Sequence, residues 1–291
     1  MPELPEVETI KRGLNKLLPN RVIVKVNFDW PKGFPNAKVD IDNFLIGAKV
    51  VKVKRRAKVL LIELSTGYSL VIHLKMTGQL VFVGARDRWG GGHPTDSLIG
   101  KLPDKSTRIT FDFEDGSHLY FNDQRKFGWV KLIPTLEVAS LDFIKKLGPE
   151  PLNSQFDASQ FIKRLKRKSN SRVKTAMLDQ SVIAGVGNIY ADEALFLAKI
   201  HPAKVIKNIT DDKLKELFKS IRTVLKQSIL KGGSSSRNYV NADGKRGAYL
   251  SFANVYKRDG KPCLRCGELI TKIRVAGRGT HICPNEQKLG K

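Results

Sequence analysis

The spacing of apolar residues changes once along this chain of 291 residues, and the change limits the folds that the chain can adopt. Up to about residue 146, apolar and polar residues alternate in short runs, as they do in half-buried β-strands. After residue 152, apolar residues recur at intervals of three and four, as they do in amphipathic helices. The sequence therefore predicts an α+β fold in which a β-rich domain precedes a helical one, with the boundary in residues 135–150.

Short strands with turn signals between them are predicted in the first half. The stretch RVIVKVNF alternates four apolar residues on one face, namely Val22, Val24, Val26 and Phe28. Two longer stretches each predict a hairpin, residues 58–74 with a turn at Thr66-Gly67 and residues 108–121 with a turn at Asp115-Gly116. Such strands are typical of a β-sandwich or barrel.

Residues 84–107 interrupt these strands and are rich in glycine and proline. They predict a long loop, which in a compact domain is either functional or mobile. The stretch includes Trp89, the Gly90–Gly92 run and His93. Because a single histidine in a glycine loop is rarely a metal ligand, we expect an insertion and not a metal site.

The chain begins MPELPEVETI, which predicts a helix from about Pro5 to Leu18. Proline is favoured in the first helical turn, and acidic residues there are stabilised by the positive end of the helix dipole. Apolar residues follow at helical spacing, at Val7, Ile10, Leu14 and Leu18. Pro2 and Glu3 precede this helix, and the helix gives no reason for either residue.

Helical spacing dominates the second half, in residues 157–167, 172–180, 191–200 and 211–230. The last of these carries one apolar stripe that we assign to the core, formed by Leu214, Leu217, Phe218, Ile221, Val224 and Leu225. After Gly232-Gly233 a polar, glycine-bearing stretch predicts a loop that is ordered only by a ligand. The C-terminal stretch alternates again, like a β-hairpin.

Charge is the strongest feature of the composition. The chain has 52 Lys+Arg against 28 Asp+Glu, a formal net charge of +24, and a pI near 10.0. Such a field attracts polyanions, and nucleic acid is the first candidate, although a ribosomal or anionic-membrane protein fits the charge equally. We see no signal peptide and no apolar run as long as a membrane span.

The three cysteines are Cys263, Cys266 and Cys283, all close to the C-terminus. An odd, clustered set does not form a disulfide framework and indicates a metal site in a reducing compartment. Their spacing fits a four-cysteine zinc ribbon whose last ligand would stand three residues after Cys283, where this chain has Glu286. Three interpretations stay open. Zinc is held by the three cysteines and Glu286, which we favour, or His281 supplies a nitrogen, or the hairpin packs without metal.

Seven motifs occur together and in one order: MPELPEVETI, RRAKVLL (55–61), HLKMTGQL (73–80), NDQRKFG (122–128), LGPEPL (147–152), LDQSVIAGVGNIYADEAL (178–195) and the cysteine hairpin. On these motifs the chain resembles the formamidopyrimidine-DNA glycosylases, bacterial base-excision repair enzymes, over essentially its full length. Its start is closer to this family than to the related endonuclease VIII, which reads nearer MPEGPE.

The resemblance implies a division of the chain into five segments. These are an N-terminal β-sandwich catalytic domain (1–135), a linker (136–150), a helical helix–two-turn–helix domain (151–231), a lesion-recognition loop (232–250) and a zinc-ribbon β-hairpin (251–291). DNA is expected in a basic cleft between the two main domains.

The resemblance also assigns catalysis to Pro2, Glu3 and Lys58. Once Met1 is removed, the nitrogen of Pro2 is a secondary amine, and α-amino groups have a pKa of roughly 8, so part of it is unprotonated at neutral pH. Such an amine attacks the sugar C1′ and forms a Schiff base. Glu3 would protonate the opening sugar ring, and Lys58 would hold the phosphate near the lesion and assist proton transfer.

DNA contacts are implied at six positions. Met76, Arg125 and Phe127 would fill the space left when the damaged nucleotide turns out of the helix, a role that suits a thioether, a guanidinium and an aromatic ring. Phosphates would be bound by His73, Asn188 and Arg278, and Asn188 would also cap its helix. The alternative for Met76 and Phe127 is a place in the core.

The expected partner is damaged double-stranded DNA, with oxidised purines as substrate and one structural zinc per chain as the metal. We expect a monomer in the bacterial cytoplasm, associated with the nucleoid, without a membrane contact or a small-molecule cofactor. Three alternatives are endonuclease VIII specificity for oxidised pyrimidines, a non-catalytic DNA-binding protein with this fold, and an RNA-binding ribosomal-type protein. The last matches the charge and explains none of the motifs.

Overall fold

A computed structural model of the protein describes residues 1–234 and 249–290, apart from the side chain of Tyr249. The chain divides into two compact units, one containing Met1–Lys145 and the other Lys146–Leu230. Of the other described residues, 231–234 belong to the first unit and 249–290 to the second. Most of the predicted lesion-recognition loop, 232–250, lies outside the described residues. Within the described ranges, no helix has both the length and the apolar character needed to cross a bilayer.

The first unit combines helices with two antiparallel sheets. Its helices are α1 (Leu4–Leu17), α2 (Lys38–Asp40) and α3 (Asp142–Lys145), and its strands are β1 (Ile23–Phe28), β2 (Val50–Arg56), β3 (Val59–Leu64), β4 (Tyr68–His73), β5 (Gly78–Val83), β6 (Arg88–Gly92), β7 (Thr107–Phe113), β8 (His118–Asp123) and β9 (Trp129–Pro134). Among the described residues one sheet has the order β1-β7-β8-β5-β6 and the other the order β2-β3-β4-β9. One apolar core takes side chains from both sheets and from α1.

Both predicted hairpins are confirmed. β3 and β4 pair antiparallel around a turn at Gly67, and β7 and β8 pair around a turn at Gly116. These glycines have φ of +79° and +77°, a region that glycine enters without steric cost. The first hairpin carries the turn signal Thr66-Gly67 and the second Asp115-Gly116, so both turns were predictable from residues close together in the chain.

The predicted N-terminal helix is also confirmed, because α1 spans Leu4–Leu17. Its apolar stripe is fully buried, with 0% exposure at Val7, Ile10, Leu14 and Leu18. Pro5 lies in the first turn and Glu3 is the N-cap residue. The helix therefore packs on the sheets by one face and places its first residues, Pro2 and Glu3, at a buried position.

The predicted apolar face of RVIVKVNF is wrong. Val24 and Phe28 are 45% and 41% exposed, whereas Ile23 is buried. The pairing of β1 with β7 is irregular between Ile23 and Lys25, which is the position of a β-bulge. A bulge adds one residue to a strand and so shifts the alternation of its side chains, and β1 lies at the edge of its sheet.

The predicted loop at residues 84–107 is also wrong, because part of it forms β6. The Gly90–Gly92 run pairs with β5, and Trp89 is 1% exposed in the core. Gly13 of α1 makes room for the indole, since a Cβ there would lie 2.3 Å from Trp89 Cε2. Glycines have no side chain, so they show no alternation of apolar and polar residues that would predict a strand. The pairing with β5 and the burial of Trp89 show that this stretch is an edge strand.

The second unit is helical and ends in a hairpin. Its helices are α4 (Ala158–Lys166), α5 (Val173–Leu178), α6 (Asn188–Leu197) and α7 (Asp211–Leu230), and its strands are β10 (Thr271–Val275) and β11 (Arg278–Ile282). The helical predictions for this half are confirmed. The apolar stripe of α7 is buried at every predicted position, against α4, α5 and α6. β10 and β11 pair antiparallel, as the alternation near the C-terminus predicts.

Candidate active site

The N-terminal residues are held by a reciprocal cap on α1. Glu6 Oε2 accepts a hydrogen bond of 2.8 Å from the Glu3 backbone N–H, and the Glu3 side chain caps the Glu6 backbone in return. Pro2 is buried and Glu3 is 3% exposed. A capping box of this kind fixes both the backbone and the side chain at the helix start. The cap therefore fixes Glu3, the residue that follows Pro2, at the buried start of α1.

Glu6 also connects the N-terminus to residues 233–234. Its other oxygen, Oε1, accepts a hydrogen bond of 2.8 Å from the Ser234 backbone N–H. Gly233 precedes this contact at φ +89°, and a Cβ there would approach Glu6 Oε1 to 3.2 Å. A small residue in a left-handed conformation is thus required beside Glu6. The sequence pattern assigned Glu6 only to the helix dipole and missed this link.

Lys58 lies in the turn between β2 and β3 and is 8% exposed. The turn begins at Ala57, whose φ is +52°. Arg55 holds this turn in place. Its Nη1 donates to the Ala57 carbonyl at 2.9 Å, and its Nε donates to Glu8 Oε2 at 3.0 Å. Burial alone raises the pKa of Glu8, but hydrogen bonds from Arg55 and two other basic side chains outweigh it and lower that pKa. An ion pair thus joins α1 to the turn that carries Lys58.

His73 is a neutral imidazole close to Lys58. Burial, followed by the positive charges of Lys75 and Lys58, lowers the pKa of His73 to about 3. Its Nδ1 accepts a hydrogen bond of 3.0 Å from the Lys75 backbone N–H. The proton of the neutral ring is therefore on Nε2, which leaves one N–H as a donor. The influence of Lys58 on this pKa means that the two side chains share one region of the site.

The three side chains predicted to fill the DNA helix lie on two loops of the first unit. Met76, between β4 and β5, is 41% exposed, and Phe127, between β8 and β9, is 51% exposed. The Arg125 guanidinium lies 4.7 Å from the centroid of the Phe127 ring. Exposure of this extent excludes the alternative that Met76 and Phe127 belong to the core.

One buried carboxylate, Asp123, organises both loops. It is 0% exposed and accepts hydrogen bonds from the backbone N–H groups of Arg125, Phe127 and Gly128, at 3.1, 2.8 and 2.7 Å. It also accepts the hydroxyl of Thr77, which follows Met76. A carboxylate that satisfies several buried donors at once is a strong local constraint. The residue pattern did not single out Asp123, whose only signal was its place inside the NDQRKFG motif.

In the second unit, α5 and α6 are joined by a braced loop. Gln180 holds the loop, because its Nε2 donates to the Val186 carbonyl at 2.8 Å and its Oε1 accepts from the Gly185 N–H at 2.9 Å. The predicted cap is wrong: Gly187 is the N-cap of α6 and Asn188 is the first helical residue. Asn188 instead donates from Nδ2 to the Gly279 carbonyl of β11, at 3.0 Å.

A buried ion pair fastens the same hairpin to the helices. Lys174 of α5 and Asp192 of α6 are 1% and 0% exposed in their side chains, and Lys174 Nζ lies 2.6 Å from Asp192 Oδ1. Lys174 also donates to Thr280 Oγ1 at 2.7 Å. Arg278, at the start of β11, is exposed two residues away. The helices therefore fix the strand that presents Arg278.

The sulfur atoms of the three cysteines lie close together, whereas His281 and Glu286, the two candidates for a fourth ligand, have other partners. The Sγ atoms of Cys263, Cys266 and Cys283 all lie within 4.8 Å of one another, and in the described part of the chain they form a candidate metal group without another ligand. His281 uses both ring nitrogens elsewhere, since Nδ1 lies 3.3 Å from an Asp192 oxygen and Nε2 3.3 Å from an Asp259 oxygen. Glu286 pairs with Lys199 and Arg265.

Family models match three stretches of the chain. They describe the formamidopyrimidine-DNA glycosylase N-terminal domain (residues 1–130), its H2TH domain (residues 147–240) and a zinc finger found in FPG and IleRS (residues 260–285). The chain belongs to the formamidopyrimidine-DNA glycosylase family. It is thus a base-excision repair glycosylase that acts on damaged DNA, and the resemblance seen in the sequence is confirmed.

Relatives of this family match the glycosylase from end to end. A formamidopyrimidine-DNA glycosylase of Pelotomaculum thermopropionicum is 40% identical over 290 residues, which are 99% of this chain and 100% of that protein. One of Desulforamulus reducens is 41% identical over 291 residues, 99% of each chain. A solved complex of a Lactococcus lactis FPG variant with Fapy-dG DNA is 36% identical, with a TM-score of 0.87 over 99% of this chain and 100% of that one.

The zinc-finger match and the cysteine cluster together identify a structural zinc site in this glycosylase. Thiolates at zinc distances of about 2.3 Å lie roughly 3.8 Å apart in tetrahedral geometry. The 3.5 Å between Cys266 Sγ and Cys283 Sγ fits that geometry. The catalytic roles of Pro2, Glu3 and Lys58 remain predictions.

We expect Lys174→Met to lower the free energy of unfolding by about 3–5 kcal/mol, because it removes the ammonium that faces the buried carboxylate of Asp192. Lys168→Met is the matched control. Lys168 Nζ lies 2.7 Å from Asp179 Oδ2 in a half-exposed pair, and such pairs contribute at most about 1 kcal/mol. Urea denaturation of both variants measures the difference. Equal losses would mean that the buried pair has no special role.

Proposed function

We propose that this glycosylase removes oxidised purines, chiefly 8-oxoguanine opposite cytosine and formamidopyrimidines, from double-stranded DNA and then cuts the strand at the abasic site. The solved Lactococcus lactis relatives bind DNA that contains Fapy-dG or an abasic site, and a solved MutM binds DNA with carbocyclic 8-oxo-G. The observation that carries the proposal in this chain is the burial of Pro2 beside a capped, 3% exposed Glu3.

The first chemical step uses the nitrogen of Pro2 after removal of Met1. Its lone pair forms a bond to the sugar C1′, and the bond from C1′ to the damaged base breaks, so that the base leaves with the bonding electrons and takes up a proton. The Pro2 nitrogen then loses its own proton, and its lone pair expels the ring oxygen from C1′. Glu3 donates a proton to the ring oxygen as the sugar opens, which leaves an iminium ion between Pro2 and C1′. Both groups act only if they are held together, and the capping box supports this.

Two eliminations then cut the strand. The iminium ion acidifies the C2′ protons, so loss of one of them expels the 3′ phosphate, and a second elimination expels the 5′ phosphate. A one-nucleotide gap results, and hydrolysis of the remaining iminium ion frees Pro2. Lys58 is suited to hold the neighbouring phosphate, since its ammonium lies in a turn that Arg55 and Glu8 order. His73 would add a neutral Nε2–H donor.

The remaining predicted contacts concern the DNA around the lesion. The exposed Met76, Arg125 and Phe127 are suited to occupy the vacated base position, because Asp123 fixes the loops that carry them. Asn188 and Arg278 are suited to phosphate binding, and the buried Lys174 pair supports the strand to which Arg278 belongs. Cys263, Cys266 and Cys283 would hold the zinc, which supplies a fixed finger and no chemistry to the reaction.

We further propose that the protein acts as a monomer in the bacterial cytoplasm, in association with the nucleoid. The relatives that match it come from bacteria, and chromosomal DNA is the substrate of this repair. No redox or nucleotide cofactor is needed, because an amine and a carboxyl group supply the chemistry derived above.

The test compares duplexes that carry 8-oxoguanine and thymine glycol, each with borohydride present. Borohydride reduces the imine and links an active enzyme covalently to the lesion strand. We expect a covalent product with 8-oxoguanine that exceeds the thymine glycol product by more than roughly tenfold, which needs only ~1.4 kcal/mol of discrimination. The reverse order would indicate endonuclease VIII specificity. Tight binding without any covalent product would indicate a DNA-binding protein without catalysis.

A further inference from the structure

The last turn of the zinc finger differs from the four-cysteine pattern of the zinc ribbon at one position. Cys263, Cys266 and Cys283 bring their sulfur atoms within 4.8 Å of one another, so they fit a zinc ion. The fourth position of the pattern is Glu286, a carboxylate. Carboxylates do bind zinc in proteins, so residue type alone leaves Glu286 possible as a ligand. Its contacts decide the matter.

The Glu286 carboxylate is engaged by two cations. Its Oε2 lies 3.0 Å from Lys199 Nζ and 3.3 Å from Arg265 Nη1, and the Glu286 side chain is only 14% exposed. Arg265 is fixed in turn, because its Nη1 donates to the Phe196 carbonyl at 3.2 Å and its guanidinium lies 4.4 Å from the centroid of the Phe196 ring. To turn toward the metal, Glu286 would leave both cations without their partner.

Gln287, the residue after Glu286, also links the turn after Cys283 to the end of α6, and it does so with an uncharged side chain. Gln287 is 0% exposed, and its Nε2 donates to the Ile200 carbonyl, just beyond α6, at 3.0 Å. Its Oε1 accepts from the Cys283 backbone N–H at 3.1 Å, and its own N–H donates to the Cys283 carbonyl at 2.9 Å. The turn after Cys283 is therefore tied to the end of α6 by protein contacts that need no metal.

The charges around Glu286 favour the same arrangement. Its carboxylate faces an ammonium and a guanidinium. Coordination to zinc would take the carboxylate away from both of these cations.

We propose that Glu286 is not a zinc ligand in this protein. Glu286, Lys199, Arg265 and Gln287 form a polar lock that fastens the last turn of the finger to α6. Zinc is held by the three thiolates, and its fourth coordination position is open to an external donor such as water, imidazole or a small thiol. The lock holds the turn in the place where other four-cysteine ribbons use their last thiolate.

The test uses the full-length protein with zinc and, for spectroscopy, with Co²⁺ in its place. We expect Glu286→Gln to keep its zinc affinity within about threefold, measured by competition with a chromogenic chelator. Glu286→Cys should bind zinc more tightly by more than the roughly 10- to 100-fold that even outer-shell partners of a metal control. Added imidazole should shift the visible bands of cobalt in the wild-type protein and leave those of Glu286→Cys unchanged.

A second readout tests the lock by itself. In protein stripped of metal by a chelator, Glu286→Gln, Lys199→Met and the double variant should each unfold at a lower temperature than wild type. The effects of the two single substitutions should not add, because both remove the ion pair between Lys199 and Glu286. Lys213→Met, which changes an exposed lysine of α7, is the matched control.

Two outcomes would overturn the part of the proposal that concerns zinc, and a third would overturn the part that concerns the lock. One is a loss of zinc affinity of tenfold or more in Glu286→Gln together with a changed cobalt spectrum, which would make Glu286 a ligand. The other is a wild-type cobalt spectrum that ignores imidazole, which would mean that the fourth position is closed. A Glu286→Gln variant that unfolds like wild type without metal would contradict the lock. None of these results depends on the catalytic role of Pro2.

Discussion

Protein that retains Met1 is expected to form no borohydride adduct with lesion DNA and to cut it at less than about one-thousandth of the normal rate, since covalent catalysis depends wholly on its nucleophile. With Met1 present, the nitrogen of Pro2 is part of an amide, and its lone pair is delocalised into the carbonyl group. The free amine of Met1 is no substitute, because it lies one residue, roughly 3.8 Å, farther along the chain.

The experiment compares one preparation before and after a single cleavage. Chains that keep Met1 are produced with the cellular methionine aminopeptidase inhibited, and part of the sample is then treated with that enzyme in vitro. Mass spectrometry records the N-terminus of both samples, and the adduct of the treated sample is mapped by peptide digestion. We expect the DNA fragment on Pro2. An adduct on a lysine, or full activity in the untreated sample, would contradict the proposed chemistry.

Elements with a regular apolar period could be predicted from the sequence. α1, α7 and the hairpins that turn at Gly67 and Gly116 all follow from residues close together in the chain, because periodicity and turn chemistry are local. The resemblance to a family added the order of the domains and the zinc site, and the family models confirm both the family and the site. The roles of individual residues stay predictions.

Features that depend on distant partners could not be predicted. The sequence predicts a loop at Trp89 because the glycines beside it hide the strand, and its burial against Gly13 of α1 shows that it belongs to the core. Asp123 meets Thr77 across 46 residues, and Lys174 meets Thr280 across 106. No spacing within a short stretch contains such information, although these contacts hold the loops that carry the predicted DNA-binding side chains.

Errors at the ends of elements have a related cause. Asn188 has the right residue type to cap a helix, but Gly187 precedes it and takes that position, so the Asn188 side chain is left for the Gly279 carbonyl. For Asn188 the type of residue allowed two positions, and its neighbours in the folded unit selected one. Glu286 also has a type that allows two roles, as a zinc ligand or as the partner of Lys199 and Arg265, and the second is the role proposed above.

Glu3 and Glu6, the two acidic residues of the capping box, have different roles. The contribution of Glu3 to catalysis can therefore be tested separately from its contribution to stability. Glu6 accepts hydrogen bonds at both oxygens, from the backbone N–H groups of Glu3 and Ser234, so it holds the start of the helix in place. Glu3 also caps the Glu6 backbone, a role that an amide oxygen fills as well as a carboxylate oxygen does. Replacement by glutamine therefore keeps the cap and removes only the exchangeable proton.

Glu3→Gln is expected to slow the excision of 8-oxoguanine by roughly 10²- to 10⁴-fold, the range that general acid–base catalysis contributes. Its unfolding temperature should stay close to that of the wild type, because the cap is preserved. Cutting at a preformed abasic site should fall much less, since the sugar there already opens to an aldehyde without loss of a base. Glu3→Asp keeps a carboxyl group but withdraws it by one methylene, so its excision rate should lie between those of the wild type and Glu3→Gln. Single-turnover rates on both substrates provide the measurement, and an equal loss on both would mean that Glu3 serves a step after the base has left.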